Sequence, residues 1–313
     1  MAVDVLTIDV LDPPRSPQLR PGVDRALLVF TGPDGPVGTR WVSSATLEDA
    51  VVQRPRAEAP AVPAPTPDVP VTVVVCTRER PDDLARCLGA LQRCVMDGDE
   101  ILVVDNAPAT SRTAGVVSTF PARRIVEPRA GLDRARNAGI AAAGTALIAF
   151  LDSDDWWHPR KLELQVAHMR TSGAKISYSG YRRIAEDGKV LSDVMPPARV
   201  SHSDMLKSNH IGNLTGMYDR SVAPDVRFRR VGHEDYVFWL ELVRSAGTAV
   251  RFDHDEPLAF YLVRNASLSG NKLRASGWQW RIYRDIEKLN VLSAARYMVH
   301  YTWNALRKRR RYA

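Results

Sequence analysis

A chain of 313 residues, 45% hydrophobic and 25% charged, carries enough apolar material for one large α/β domain, or one domain with small additions. Its formal net charge is +7, and the run Arg307-Lys308-Arg309-Arg310-Arg311 supplies five of those charges, so the basicity is local to the end of the chain. Cys76, Cys87 and Cys94 make neither a disulfide framework nor a zinc-finger spacing, the amino end lacks the pattern of a signal peptide, and no apolar run reaches the ~18–20 residues of a bilayer span.

Residues 1–52 read as a small β-rich appendage. Ala26 to Phe30 is a clear strand, and a turn at Gly32-Pro33-Asp34-Gly35 leads to a partner strand near Thr39 to Val42. Residues 53–70 hold six prolines in eighteen positions, which suits a semi-rigid linker and neither a helix nor an inner strand. From residue 71 the pattern alternates. Val71 to Cys76 is an apolar, β-branched run of the kind buried in a parallel sheet. Pro81 to Leu91 is an amphipathic helix with proline in its first turn. Ile101 to Val104 is the second strand, Thr113 to Ser118 a short helix, and Arg124 to Val126 the third strand. Gly131 opens a helix over Leu132 to Ala142, and Ala146 to Leu151 is the fourth strand, stopping at Asp152. Strands alternating with helices imply a doubly wound, mostly parallel sheet flanked by helices.

Beyond Trp156 the rhythm changes. A helix is expected over Pro159 to Met169, a strand over Lys175 to Ser179, and a polar irregular stretch to about Ser208. Leu214 to Tyr218, Val250 to Phe252 and Leu258 to Leu262 read as strands, Glu234 to Ser245 as a helix, and the last forty residues as a helical segment.

Open α/β sheets bind ligands at the carboxyl ends of their strands. Three strand ends here are polar: Thr77-Arg78, Asp105-Asn106 and Asp152-Ser153-Asp154-Asp155. The last is the strongest signal, because three carboxylates in four residues repel one another unless a cation compensates. Hard oxygen ligands suit Mg²⁺ or Mn²⁺, with a diphosphate completing the shell. A solvated acidic turn that caps the following helix is the competing reading. Arg136 is open in the same way, between a ligand contact and a surface helix arginine.

The ordered segments Val71-Thr72-Val73-Val74-Val75-Cys76-Thr77-Arg78, Ile101-Leu102-Val103-Val104-Asp105-Asn106, Gly131 to Gly139 (GLDRARNAG) and Phe150-Leu151-Asp152-Ser153-Asp154-Asp155 resemble the motifs of the glycosyltransferase family 2 proteins with the GT-A fold. The resemblance covers about residues 71–270, with 71–155 as a nucleotide-binding half and 156–270 as an acceptor half. Residues 271–313 form a C-terminal helical, basic segment.

The resemblance implies a nucleotide-sugar donor of the UDP, GDP or dTDP type. Thr77, Arg78 and Asp105 would hold its base and ribose, Arg136 would meet the nucleotide, and Asn137 would pin the local backbone. Asp152 and Asp154 match the family's D-x-D: Asp154 goes to a divalent metal, Mn²⁺ or Mg²⁺, and Asp152 to ribose or metal, with Ser153 between them and Asp155 behind. His233-Glu234-Asp235 stands where family members carry a Glu-Asp pair; Asp235 would be the base, with Glu234 beside it. Asp105-Asn106-Ala107-Pro108 departs from the common Asp-Asp-Gly-Ser. Gln279-Trp280-Arg281 lacks the spacing of the processive Q-x-x-R-W motif, which points to transfer of one sugar.

The implied activity is an inverting, metal-dependent transfer to a saccharide or lipid-linked saccharide in bacterial surface polysaccharide or glycoconjugate synthesis. The basic, aromatic carboxyl-terminal helix suits peripheral contact with the inner face of a plasma membrane by an otherwise cytoplasmic protein. Trp156 and Trp157 are either walls near the donor sugar or core. Other readings are a catalytically inactive binding module of this fold and a sugar-phosphate nucleotidyltransferase; the second needs a glycine-rich loop where Thr77-Arg78-Glu79-Arg80-Pro81 has none. A nucleic-acid binder would explain the arginine run but not the acidic strand end, so no nucleic acid is expected.

Overall fold

The computed structural model describes residues 3–9, 19, 21, 23–32, 35–43, 45, 69–254, 256–264 and 272–312, with side chains described to Asn304; most of the expected linker, 53–68, lies outside the described residues. At the amino end β1 (Val3–Asp9), β2 (Arg25–Gly32) and β3 (Gly35–Ser43) form a sheet of their own in that order. β2 and β3 are the expected antiparallel pair. β1 is an addition, pairing parallel to β2. Asp4 and Ile8 are both buried on it, so its inward positions mix polar and apolar residues and blur the period-2 signal. Leu27 of β2 packs with Ala90, Trp156, Ile184 and Phe260, which seats the appendage on the main body.

The main body begins with β4 (Val71–Thr77), all seven residues of which are buried. Then follow α1 (Pro81–Leu91), β5 (Glu100–Asn106), α2 (Arg112–Val117), β6 (Arg123–Glu127), α3 (Leu132–Ala142) and β7 (Leu147–Asp152). After β7 come β8 (Trp156–Trp157), α4 (Lys161–Ser172), β9 (Ile176–Tyr178), β10 (Tyr181–Ala185), β11 (Val190–Val194), β12 (Arg199–Ser201) and α5 (His202–Lys207). The chain continues through β13 (Met217–Asp219), α6 (Glu234–Ala246), β14 (Thr248–Arg251), β15 (Ala259–Val263), α7 (Lys272–Arg281) and α8 (Val291–Tyr312).

The large sheet runs β12-β14-β9-β13-β7-β4-β5-β6, and a smaller one runs β11-β10-β15-β8. β4 is parallel to β5 and β7, and β6 is parallel to β5. β13 is antiparallel to both β7 and β9. The continuous apolar runs need two covered faces, and both are covered. Val74, Leu102, Val104, Ile148 and Phe150 face α3 and α6, while Val71, Val73, Val75, Ile101 and Leu151 face α1 and α4. Each fully buried Val or Leu contributes ~1.5–3 kcal/mol. Gly139 lets α3 lie close to the sheet, since a Cβ there would stand 2.3 Å from Val74 Cγ1.

The expected polar, irregular stretch to Ser208 is instead β10, β11, β12 and α5. Gly188, at φ 83, closes the β10–β11 hairpin, and Arg182 pairs across it with Asp193 at 2.7 Å. Polar side chains hide these strands because β11 and β12 are sheet edges and β10 beside β11 is only partly buried. The strand expected over Leu214 to Tyr218 starts three residues later than β-propensity suggests, after a 3₁₀ turn at Asn213–Thr215. Gly216 separates the two, where a Cβ would lie 2.2 Å from the Trp239 ring. Trp156 and Trp157 are buried, with Trp157 Nε1 donating to Leu214 O at 2.8 Å, so both are core.

Candidate active site at the carboxyl edge of the sheet

Register brings the expected strand ends together. Thr77 lies beside Asp105, and Cys76 beside Asp152. Arg124 of β6 donates Nε and a terminal nitrogen to Asp105 Oδ2 at 3.0 and 2.8 Å. Asp105 Oδ1 and Thr77 Oγ1 remain buried with no partner in the protein. A buried polar atom without a partner costs about 1–3 kcal/mol, so this pair fits a ligand that supplies the missing donor and acceptor. Arg78 is exposed one residue further on.

Asn106 takes a different task. Its Oδ1 accepts from Gly131 N at 2.9 Å, and its Nδ2 donates to Arg129 O at 2.9 Å. An aspartate could not donate the second bond, so the departure from the Asp-Asp pattern clips the β5 end to the loop that opens α3. Ala107 then sits at φ 50, a conformation in which glycine avoids the strain of a Cβ.

The acidic turn separates its three carboxylates. Asp152 accepts from Arg136 at 3.0 and 3.2 Å. Asp154 Oδ2 pairs with Arg80 at 3.0 Å and with Arg264, just beyond β15, at 3.3 Å. Asp155 is buried, and its Oδ1 accepts from Leu262 N at 3.0 Å. Burial first, then the charges of Asp152 and Asp154, push the Asp155 carboxyl well above the usual carboxylate range. The crowding that marks this turn in the sequence is thus relieved by guanidinium groups on two carboxylates and by burial of the third.

Arg136 is 4% exposed and spans the site. Besides Asp152 it approaches Glu234 Oε1 at 4.0 Å and stands 5.1 Å from the centre of the Phe228 ring. Burial works against its charge, but the fields of Asp152, Cys76 and Asp235 and the bond to Asp152 outweigh it and raise its pKa further. Its neighbour Asn137 points the other way: Nδ2 donates to Phe228 O and Oδ1 accepts from Phe228 N, both at 2.8 Å. That amide is committed to backbone, so Asn137 fastens the loop before α6 to α3.

Glu234 and Asp235 form the first turn of α6, where acidic groups suit the helix dipole. His233 precedes them at φ 61. Trp278 of α7 fixes this entrance, for a Cβ on Gly232 would fall 2.0 Å from its ring, and His233 meets the same ring edge-on with centres 5.5 Å apart. Arg80, Arg124, Phe228, Arg264 and Trp278 belong to the site but are not among the residues expected from sequence. Arg80 and Arg124 stand next to strand-end motifs and could have been suspected; the other three are brought in by folding.

Among the described residues, no three His, Cys, Asp or Glu side chains converge into a closed metal cage. The arrangement does fit a hard cation that brings oxygen ligands with it. Asp152 and Asp154 are 33% and 23% exposed, and both ion pairs of Asp154 fall on Oδ2, leaving Oδ1 for a cation shared with phosphate oxygens.

The family model described as Glycosyl transferase family 2 matches residues 72–219. The chain is 34% identical over 218 residues to the putative teichuronic acid biosynthesis glycosyltransferase TuaG of Bacillus subtilis (strain 168), covering 67% of this chain and 85% of that protein. It is 29% identical over 213 residues to UDP-Glc:alpha-D-GlcNAc-diphosphoundecaprenol beta-1,3-glucosyltransferase WfgD of Escherichia coli, covering 67% and 83%. In fold it is similar to S. aureus TarS 1–349 in complex with UDP-GlcNAc, with a TM-score of 0.57 at 15% identity over 74% of this chain and 71% of that one; it spans 43% of a longer TarS structure. The mannosyltransferase PcManGT of Pyrobaculum calidifontis, in complex with GDP-Man and Mn²⁺, gives a TM-score of 0.54 at 16% identity, over 79% and 74%.

Proposed function

This chain belongs to glycosyl transferase family 2, and from that membership we propose that it moves one sugar, with inversion, from a metal-bound nucleoside diphosphate sugar to a lipid-linked saccharide in bacterial polysaccharide synthesis. The observation that carries this reading is the bridge Asp152–Arg136–Glu234, which sets the first turn of α6 opposite the acidic strand end.

On this reading Thr77 Oγ1 and Asp105 Oδ1 receive the base and ribose. Asp154, with Asp152, would hold the divalent cation, which neutralises charge gathering on the departing diphosphate. Arg80 and Arg264 already stand at Asp154 and add positive charge to the same place. Asp235 takes the proton of the acceptor hydroxyl as that oxygen bonds to the anomeric carbon and the bond to the diphosphate breaks on the opposite face. Charge on Arg136 holds Glu234 in place beside the base. The lipid-linked acceptor is supported by the E. coli relative, whose name gives a diphosphoundecaprenol-linked GlcNAc.

The test is a screen of UDP, GDP and dTDP sugars for hydrolysis and transfer, with Mn²⁺ and with EDTA. Asp235→Asn should lower kcat by roughly 10²–10⁴-fold while leaving donor binding in place. Donor binding without turnover in the unaltered protein would identify an inactive binding module, and full transfer by the variant would move the base elsewhere.

A further inference from the structure

The four most exposed large apolar side chains among the described residues lie on one helix: Leu292 at 83%, Val299 at 69%, Trp303 at 66% and Val291 at 56%. α8 is not free of the body. Ala294 is buried, Tyr297 and Met298 pack on the main core, Tyr283 meets Tyr297 with ring centres 6.0 Å apart, and Asn304 Nδ2 donates to Lys207 O at 3.1 Å. That settles which face looks inward. At 100° per residue, Leu292, Val299 and Trp303 then form one outward stripe, with exposed Arg296 in line. The helix runs 22 residues to Tyr312, has no Asp or Glu, and carries the basic positions 307–311 within its last turns. A large apolar stripe exposed on a folded protein marks an interaction surface.

We propose that this face of α8 docks on an anionic lipid bilayer, the stripe entering the headgroup boundary and the basic run meeting the surface charge. Two features favour a bilayer over other occupants. A second copy would set one basic face against another. A nucleic acid would use the charge but leave the Leu–Val–Trp stripe unexplained. No helix among the described residues is long and apolar enough to cross a membrane, so the contact lies on the surface.

The stripe is also linked to the candidate site. Lys207 O holds Asn304, next to Trp303, and two residues earlier Met205 O accepts from the Tyr236 hydroxyl at 2.9 Å. Tyr236 follows Glu234 and Asp235 in the first turn of α6. The tryptophan end of α8 is therefore tied, through α5, to the helix turn that carries the proposed base.

The experiment is flotation of the full chain with vesicles of phosphatidylcholine alone or mixed equally with phosphatidylglycerol. Binding to the mixed vesicles should be at least ~10-fold tighter than to the neutral ones, and should weaken in about 0.5 M salt. Replacing Leu292→Ser, Val299→Ser and Trp303→Ser together should cost about another 10-fold. These side chains face outward, so unfolding temperature should hold; a second variant, Arg307→Gln with Arg310→Gln, tests the charge without touching the stripe. Equal binding to neutral vesicles, or binding indifferent to the triple change, overturns the proposal. So does a dimer, or duplex DNA binding, that the triple change abolishes while vesicles are never bound. Vesicle binding is independent of what the site transfers, so its failure would leave the glycosyltransfer reading standing.

Discussion

The two halves of the catalytic body are built differently. In residues 71–155 most contacts around the strand ends are local: Arg124 reaches Asp105 across 19 positions, Gly131 reaches Asn106 across 25, and Arg136 reaches Asp152 across 16, while Arg80 reaches Asp154 across 74. The second half is fastened to the first by long tethers. Asn137 meets Phe228 across 91 positions, Leu262 meets Asp155 across 107, and Arg264 meets Asp154 across 110 and Asp83 across 181. A strand–loop–helix unit positions its own strand-end groups as it folds. The second half depends on a few contacts that close large loops, and each closure must overcome chain entropy before it stabilises anything. Donor and acceptor functions should therefore separate when tethers are cut.

The largest effect is expected at Arg136, which belongs to both halves. Arg136→Met leaves Asp152 and Glu234 without their shared cation. We expect a loss of about 2–4 kcal/mol in denaturant unfolding, below the ~3–5 of a fully buried pair because Asp152 is partly solvated. Transfer should fall with it. Unchanged unfolding and unchanged transfer would show that the halves are not joined there.

Asn137 tests the tether alone. Asn137→Ala removes both bonds to the Phe228 backbone, at a cost of about 1–3 kcal/mol. Donor affinity, measured by calorimetry with a nucleoside diphosphate sugar, should change little, while kcat/KM for the acceptor drops. A larger loss of donor affinity than of acceptor efficiency would mean that Asn137 serves the nucleotide directly.

The same contrast explains what the sequence discloses. Helices at Pro81–Leu91 and Leu132–Ala142 fall at their expected bounds because proline and Gly131 punctuate them and their apolar faces are periodic. The strand ends were legible because their polar residues follow apolar runs directly. Arg264 was not, since nothing near it marks a partner 110 positions away. Trp278 and Gly232 show their relation through a close approach in space. The β10–β11 hairpin escaped notice because its outer strand β11 is an exposed edge that needs no apolar alternation, and only its Asp187-Gly188 turn hinted at it. Asn106 looked like a weakened motif until its amide was seen bonding both sides of the Gly131 loop.

An effect of similar size and opposite sign is expected at the joint between the halves. Lys161 opens α4, is fully buried, and its Nζ has no hydrogen-bond partner. It stands 3.5 Å from the centre of the Trp157 ring, a contact that favours the ammonium form. Burial outweighs that contact and brings the lysine down from 10.5 to about 7. Between those two values the unfolded chain holds a proton that the folded one has released, so the contribution of Lys161 to stability rises with pH across this window and is flat below about 7, where both states are charged. Lys161→Met removes the titrating group and keeps most of its volume. The variant should be more stable by ~1–3 kcal/mol near neutral pH, with the gain shrinking toward alkaline pH. Unfolding free energies of both proteins across that range check the sign: a difference between them that stays constant from about pH 7 to 10.5 would show that Lys161 stays charged in the fold. The joint would then be held by an ammonium over the Trp157 ring.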